Sequence, residues 1–228
     1  DGTLYLADMY RLWVEHPKFL PPEIAAKLNW RAGEDRGRIW RIVADNPSTA
    51  AAYSPPKTVA DMVKLLSSSN GWQRRMGQQL LVEEQAIGAA PALNSLAITS
   101  DSPLTRLHAL WTLQGLDSLS VETLKHSLQD SHPEVRAAAV MLASQTWQDT
   151  PELLTEVLAV AADASPFVRF RVALALGKTD DPRKPAVLAK IAERADAGDL
   201  SADAVLTSVE SCSGEVLSHL ADDSAAQR

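Results

Sequence analysis

The chain has 228 residues, enough for one sizeable domain or two modest ones, and its 46% hydrophobic content is that of an ordinary globular protein. No stretch reaches the roughly 18 consecutive apolar residues that a membrane span requires, so no span is expected. The net charge is −7, and residues 46–228 carry the whole excess, with 15 Lys or Arg against 22 Asp or Glu. Because an acidic surface repels phosphate backbones, nucleic acid is not an expected partner.

The N-terminal part predicts two β-strands joined by a long excursion. Residues 3–9 and 37–43 are rich in strand formers, and the first of them is apolar on both faces, as in a strand buried within a sheet. About 27 residues separate them, far more than a hairpin loop contains. Within this excursion, residues 21–28 read as a short helix with proline in the first turn. Residues 1–45 are therefore predicted to form an antiparallel β-hairpin with a helical insertion, whose free edges favour association with a second copy.

Residues 46–57 interrupt the periodicity and are interpreted as a linker, because their prolines favour an extended backbone. The chain begins at Asp1, with no charged and then apolar leader, and we expect it to be a piece of a longer protein.

One sequence motif occurs three times in the rest of the chain. It consists of a polar residue, a proline, two spacer residues, an arginine and an apolar run. Its prolines, Pro103, Pro133 and Pro166, lie 30 and 33 residues apart, a period typical of stacked helical hairpins. A degenerate earlier copy has Gly71 in the proline position and Arg74 in the arginine position. The pattern predicts a mainly α protein with a solenoid of about five helical hairpins over residues 58–220, followed by a frayed tail at 221–228.

The repeated arginines follow aspartates at a spacing of five or six residues, so stacked repeats are expected to form an Asp and Arg ladder. The six residues are Asp101, Arg106, Asp130, Arg136, Asp163 and Arg169. The alternative is a row of arginines that binds an anionic partner, although a structural ladder is the simpler interpretation.

Candidate catalytic residues are few, and they cluster where the first strand ends. Asp8 or His16 could act as a base and Arg11 as an anion or quinone contact, with Tyr10 and Glu15 beside them. The structural alternative is that Arg11 pairs with Asp8 or Glu15 to hold the insertion in place.

Other signatures of chemistry are weak or missing from the sequence. The single cysteine, Cys212, excludes an intrachain disulfide and a Cys-x-x-Cys-His haem attachment within these residues. The histidines show no i, i+4 pairing, whereas zinc needs about three or four converging donors. They are His16, His108, His126, His132 and His219. We expect no cofactor and no metal in this segment, and we expect Trp72 and Trp111 to pack in the core or a groove.

Two resemblances sharpen this interpretation. Residues 128–142 resemble the HEAT-repeat pattern, which extends over residues 58 to about 210. Residues 1–43, above all 1–11 and 31–41, resemble the last propeller blade of membrane-bound dehydrogenases of planctomycete-type bacteria. In that family a β-propeller precedes HEAT repeats and a c-type cytochrome domain. The resemblance implies an exported or periplasmic parent protein with haem c or a quinone as cofactor, although a blade needs four strands and only two are predicted here.

The expected function is therefore a non-catalytic connector that holds a cytochrome against a propeller, in the same chain or in a separate protein. Whether any enzymatic activity resides in the segment is left open. The main alternative is a general protein-binding scaffold without a redox role. A HEAT-fold enzyme, such as a phycobilin lyase or a DNA alkylpurine glycosylase, is a third class, and the acidic balance disfavours its DNA-binding form.

Overall fold

The computed structural model describes residues 3–14, 16–43, 54–196 and 198–226. The chain divides into two compact units, Asp1–Pro55 and Pro56–Arg228. Of the predicted linker, residues 46–53 lie outside the described residues, and residues 54–57 have no regular secondary structure.

The first unit contains a two-stranded antiparallel sheet. Strand β1 (Leu4–Asp8) pairs with β2 (Arg38–Ile42), so that Leu4 lies opposite Ile42 and Asp8 opposite Arg38. The insertion between them holds a 3-10 turn and a four-residue helix, α1 (Pro22–Ala25). The short antiparallel hairpin with a helical insertion is thus confirmed, but α1 ends earlier than predicted.

Burial of the strands differs from the prediction. The large apolar side chains of both strands are about half exposed or more, and their exposed fractions run from 49% for Trp40 to 73% for Ile39. The apolar pattern was correctly identified, but nothing in the described part of the first unit covers it.

The second unit is helical throughout, and proline or a polar cap begins most of its helices. The helices in its described residues are α2 (Val59–Leu65), α3 (Gly71–Glu83), α4 (Ala90–Thr99), α5 (Pro103–Gly115), α6 (Val121–Leu128), α7 (Pro133–Thr146), α8 (Pro151–Ala159), α9 (Pro166–Leu176), α10 (Lys184–Glu193), α11 (Ser201–Ser208) and α12 (Ser213–Ala226). The three repeated prolines are the first residues of α5, α7 and α9, where a missing N–H costs nothing. Thr58 caps α2 in a capping box: its hydroxyl accepts from the Asp61 amide, and the Asp61 carboxylate accepts from the Thr58 amide.

These helices stack in two layers. The first layer contains α2, α4, α6, α8 and α10, and the second contains α3, α5, α7, α9 and α11. Each second-layer helix packs on the next one in its layer. The two helices of four hairpins pack together, and in the hairpin of α8 and α9 the 3-10 turn Val160–Ala162 that follows α8 packs on α9. One apolar core runs through all the repeats, with Leu66, Leu110 and Leu176 fully buried in it. The fold is therefore the predicted α-solenoid of about five hairpins.

Helix α12 lies beyond the last helical hairpin that the sequence predicted. It packs against α10 as a further first-layer helix and continues through most of residues 221–228, to Ala226. The physical reason is the four-residue spacing of Val216 and Leu220, which places both on the face that meets the core.

Candidate functional site

A ladder of arginine and aspartate side chains joins successive repeats. Arg106 donates from Nη1 to the Ser100 carbonyl at 2.6 Å, while its Nε and Nη2 each donate to the Asp130 carboxylate of the next repeat at 2.7 Å. Arg136 repeats the arrangement with the Asp130 carbonyl and the Asp163 carboxylate, at 2.7 to 2.8 Å. Each arginine therefore binds the loop that precedes its own helix and also the corresponding loop of the next repeat.

A third rung extends the ladder to a residue that the sequence did not suggest. Arg169 donates to the Asp163 carbonyl at 3.0 Å and pairs with Asp199. Asp199 lies three residues before Ala202, just as Asp130 and Asp163 lie three residues before their prolines. Because Ala202 replaces the proline of the motif, the sequence analysis did not identify Asp199 as a ladder residue.

Asp101 is the one predicted ladder residue that the structure leaves out. It lies two residues before Pro103, and the position three residues before is occupied by Ser100. Arg74, in the preceding repeat, still donates to the Ser68 and Ser69 carbonyls at 2.7 and 3.0 Å. Its buried Nε has no partner within the described residues. The first rung therefore lacks its carboxylate.

The ladder is structural and does not form an anion-binding surface. Arg106 and Arg169 are only 7% and 5% exposed, and every bond that their guanidinium groups donate goes to an aspartate or a carbonyl. The buried Nε of Arg169 has no partner within the described residues. Burial raises the pKa of Asp163, but the bonds from Arg136 and from the Ser165 amide outweigh it and hold that pKa below its usual value. The carboxylate therefore stays ionised beside its arginine.

We expect Ser100→Asp to raise the free energy of unfolding by about 1–2 kcal/mol, because a carboxylate would reach the buried Nε of Arg74. Urea unfolding followed by circular dichroism measures the change. The same substitution in an Arg74→Met background should give no gain. The matched control is Asp101→Asn, one residue away, which should alter stability by less than about 0.5 kcal/mol. An equal gain with and without Arg74 would contradict the missing rung.

An open groove of about 550 Å³ lies between α3 and α5 in the second layer, and we call it the α3–α5 groove. Trp111 and Val82 supply its apolar surface. Gly115 allows the two helices to approach, because a Cβ there would lie 2.8 Å from Val82 Cγ2. Arg75 and Glu83 line the groove eight residues apart on α3, about 12 Å along the helix. The groove thus offers an apolar centre between opposite charges.

Hydrogen bonds orient the polar lining of this groove. Gln79 Nε2 donates to Glu83 Oε1 at 2.7 Å, and Gln78 Oε1 lies 2.7 Å from His108 Nδ1. Arg75 is exposed and makes no hydrogen bond or ion pair with any residue in the described ranges. Burial, together with the charges of Arg74 and Arg75, lowers the pKa of His108 below 6.5. Arg75 is therefore the group in the groove that is available to a ligand.

The two tryptophans singled out in the sequence have different surroundings. Trp111 packs partly against the core while it lines the groove. Trp72 is 45% exposed near the start of α3, so of the two expected environments, the core and a groove, the core does not apply to it. Cys212 is buried, as an inert thiol would be.

The candidate catalytic residues of the first unit are tied to structural partners. Asp8 accepts from the Tyr10 amide at 2.8 Å and from Trp40 Nε1 at 3.0 Å, and Arg38 Nε lies 3.5 Å away. The Trp40 and Tyr10 bonds, opposed by a small burial effect, lower the pKa of Asp8. The ion-pair partner of Asp8 is Arg38, not Arg11. A carboxylate so occupied is a poor general base.

The other two candidates, Arg11 and His16, have different surroundings. Arg11 donates to the Trp30 carbonyl at 2.7 Å and lines two surface cavities beside Tyr10. His16 accepts from the Lys18 amide at 3.1 Å, packs edge-on against Phe19, and lines neither cavity. Glu15 lies outside the described residues. Asp8 and Arg11 therefore line one cavity together, whereas the described part of His16 lies outside both.

Metal-binding and membrane-spanning features are not found in the described ranges. No three His, Cys, Asp or Glu side chains there converge as ligands for a metal ion. Every helix in those ranges is too short or too polar to cross a bilayer.

Comparison with known families agrees with the architecture. Residues 121–207 match the family described as HEAT repeats, and residues 1–46 match the family described as a domain of unknown function (DUF7133). No protein with a curated function matches the chain significantly. Together with the stacked hairpins, the first match defines the helical unit as a HEAT-repeat α-solenoid, a class of fold that indicates a protein-interaction scaffold.

Proposed function

We propose that the chain is the connector and protein-interaction module of a larger, dehydrogenase-like electron-transfer protein. In this proposal the strand pair belongs to a propeller blade, and the HEAT array holds a cytochrome domain against that propeller. The redox group, haem c or a quinone, would reside elsewhere in the assembly, which would be exported or periplasmic. These finer statements rest on the resemblance of residues 1–43 to the last propeller blade of the dehydrogenase family.

The observation that carries the proposal is the uncovered apolar strand pair. Because side chains alternate along a strand, Leu4 and Leu6 share one face with Trp40 and Ile42, while Ile39 lies on the other. All five side chains are between 49% and 73% exposed. An isolated two-stranded hairpin is at best marginally stable in water, and large exposed apolar patches mark interfaces. In a propeller, further strands would pair with the free edges of the hairpin, and the neighbouring blades would cover its two faces.

The native protein that contains this chain tests the proposal directly. Its gene should encode propeller strands before the segment and a Cys-x-x-Cys-His motif after it. The protein, recognised by an antibody against the chain, should stain for covalent haem after denaturing electrophoresis. A native protein with neither haem nor propeller strands would establish the alternative, a HEAT scaffold without a redox role.

The α3–α5 groove is the surface of the solenoid that best fits a protein partner. An aromatic side chain at the centre of a groove, with a free arginine beside it, is the composition of an interface hot spot. A bound segment would place an apolar side chain on Trp111 and a carboxylate near Arg75. Glu83 at the other end would repel that carboxylate and so fix the orientation of the bound segment.

We expect Trp111→Ala and Arg75→Glu each to weaken binding of the cytochrome domain, or of the scaffold's own partner, by roughly tenfold or more. Isothermal titration calorimetry with the purified partner domain measures the change. Lys190→Glu is the matched control, since it reverses an exposed positive charge on the first-layer helix α10. Equal affinities for all four proteins would show that the partner binds to another face.

A further inference from the structure

The turn after β1 builds a second charged cavity, distinct from the solenoid groove. Tyr10 adopts φ 51°, a left-handed conformation that is unusual for a residue with a side chain. The Tyr10 amide is held by Asp8, and the Tyr10 carbonyl lies against Gly33, where a Cβ would come within 1.9 Å. Gly33 itself has φ 86°, which glycine adopts without strain. The turn is therefore held from both sides.

Backbone contacts join this turn to the loop that precedes β2. The Leu12 amide donates to the Ala32 carbonyl at 3.2 Å, and Arg11 Nη2 donates to the Trp30 carbonyl at 2.7 Å. The two segments enclose an open cavity of about 520 Å³. Its lining comprises Tyr10, Arg11, Leu12, Ala32, Gly33, Asp35 and Arg36. A strained residue fixed beside a cavity is a recurrent feature of binding sites.

Two arginines bring unused donors to this cavity. The guanidinium of Arg36 lies 5.7 Å from the centre of the Tyr10 ring and makes no hydrogen bond or ion pair with the described residues. Arg11 uses Nη2 for Trp30, which leaves its remaining donors free. Arg38, by contrast, stacks 4.4 Å from the Tyr10 ring and is already paired with Asp8. Arg11 and Arg36 are thus the two cations available to a ligand.

The lining also limits the ligand's charge and size. Arg11 and Arg36 contribute two positive charges and Asp35 one negative charge, so the cavity has a net charge that matches a monoanion. Leu12 and Ala32 add apolar surface for a few carbon atoms. We propose that this cavity, the Tyr10 site, binds a small organic carboxylate, with its oxygens on Arg36 and Arg11 and its apolar body against Leu12 and Ala32. A phosphate dianion fits less well, because Asp35 would repel its second charge.

This inference does not depend on the proposed connector function, since it concerns only the chain itself. Butyrate is a suitable probe, with butyramide as its neutral isostere and inorganic phosphate as the competing oxyanion. Titration of the ¹⁵N-labelled 228-residue chain, followed by amide and arginine Nε–H resonances, should show saturable shifts at Leu12, Gly33 and Arg36 with butyrate. Butyramide should produce none. Tighter binding of phosphate than of butyrate would overturn the assignment to carboxylates.

Four variants make the assignment specific. Arg36→Gln should weaken butyrate binding roughly tenfold, because it removes a charge-assisted pair of bonds, and Arg36→Lys should fall between it and the native chain. Asp35→Asn should tighten binding about threefold, since it removes the repelling carboxylate. Arg31→Gln is the matched control, because Arg31 is exposed in the same loop but paired with Glu34 at 2.6 Å. Native affinity in Arg36→Gln, with unchanged Leu12 and Gly33 resonances, would refute the Tyr10 site.

Discussion

Replacement of Asp130 by alanine is expected to lower the free energy of unfolding by about 3–5 kcal/mol, the largest effect we expect from a single charged side chain in this protein. Asp130 receives both bonds from Arg106, and the two residues are only 8% and 7% exposed. Without the carboxylate, a guanidinium would be left buried and unpaired. Asp130 Oδ1 also accepts from the His132 amide at 2.8 Å, so the start of α7 would lose a bond as well.

The measurement is urea unfolding followed by circular dichroism, with two companion variants. Asp130→Asn retains the acceptor for the His132 amide and removes the charge. It therefore distinguishes the contribution of the ion pair with Arg106 from that of the bond to the His132 amide. Glu152→Gln breaks an exposed pair with Lys125, whose atoms lie 3.7 Å apart, and should cost less than about 1 kcal/mol. Similar losses for Asp130→Ala and Glu152→Gln would mean that the ladder is no stronger than a surface pair.

The second large effect is expected at the crossing of α2 and α3. Gly77→Val should destabilise the protein by about 3 kcal/mol, because a Cβ at Gly77 would lie 2.8 Å from Leu65 Cβ and 2.8 Å from the Met62 carbonyl oxygen. One of these contacts is backbone, which cannot rotate away. The helices would have to separate, and the fully buried Leu66 would lose packing.

Gly88→Val is the matched control for this substitution. Gly88 has no atom within 4 Å of an added Cβ, so the same change should alter stability by about 0.5 kcal/mol or less. Thermal unfolding by differential scanning calorimetry distinguishes the two variants. If both lowered the transition temperature equally, α2 and α3 would not pack as closely as the structure shows.

Local signals in the sequence account for most of the helical unit. Proline at the first helical position, the Thr58 cap and the apolar spacing each act within one turn of helix, so Pro103 and Pro133 could be placed without coordinates. The same locality explains the errors. Helix α12 begins without the proline motif, and Asp199 precedes an alanine instead of a proline, so neither stood out in the repeat pattern.

The partners within the candidate sites could not be predicted, because they lie far apart in the chain. Arg106 and Asp130 are 24 residues apart, and only the stacking of repeats shows that Arg106 reaches forward to Asp130 and not back to Asp101. Trp111 and Arg75 line one groove for the same reason. In the first unit, the proximity of Tyr10 and Gly33 depends on two loops that no periodicity describes.

The sequence by itself thus determined the class of fold, the direction of the helices and the identity of the ladder arginines, because periodicity, caps and prolines are encoded within a few neighbouring residues. Only the tertiary structure decided which aspartate each arginine binds, that Arg74 lacks one, and that Arg75 and Arg36 keep free donors beside cavities. The physical reason is that packing brings together side chains from distant positions in the chain, and these contacts determine burial and pairing. A pattern over a few neighbouring residues does not encode them.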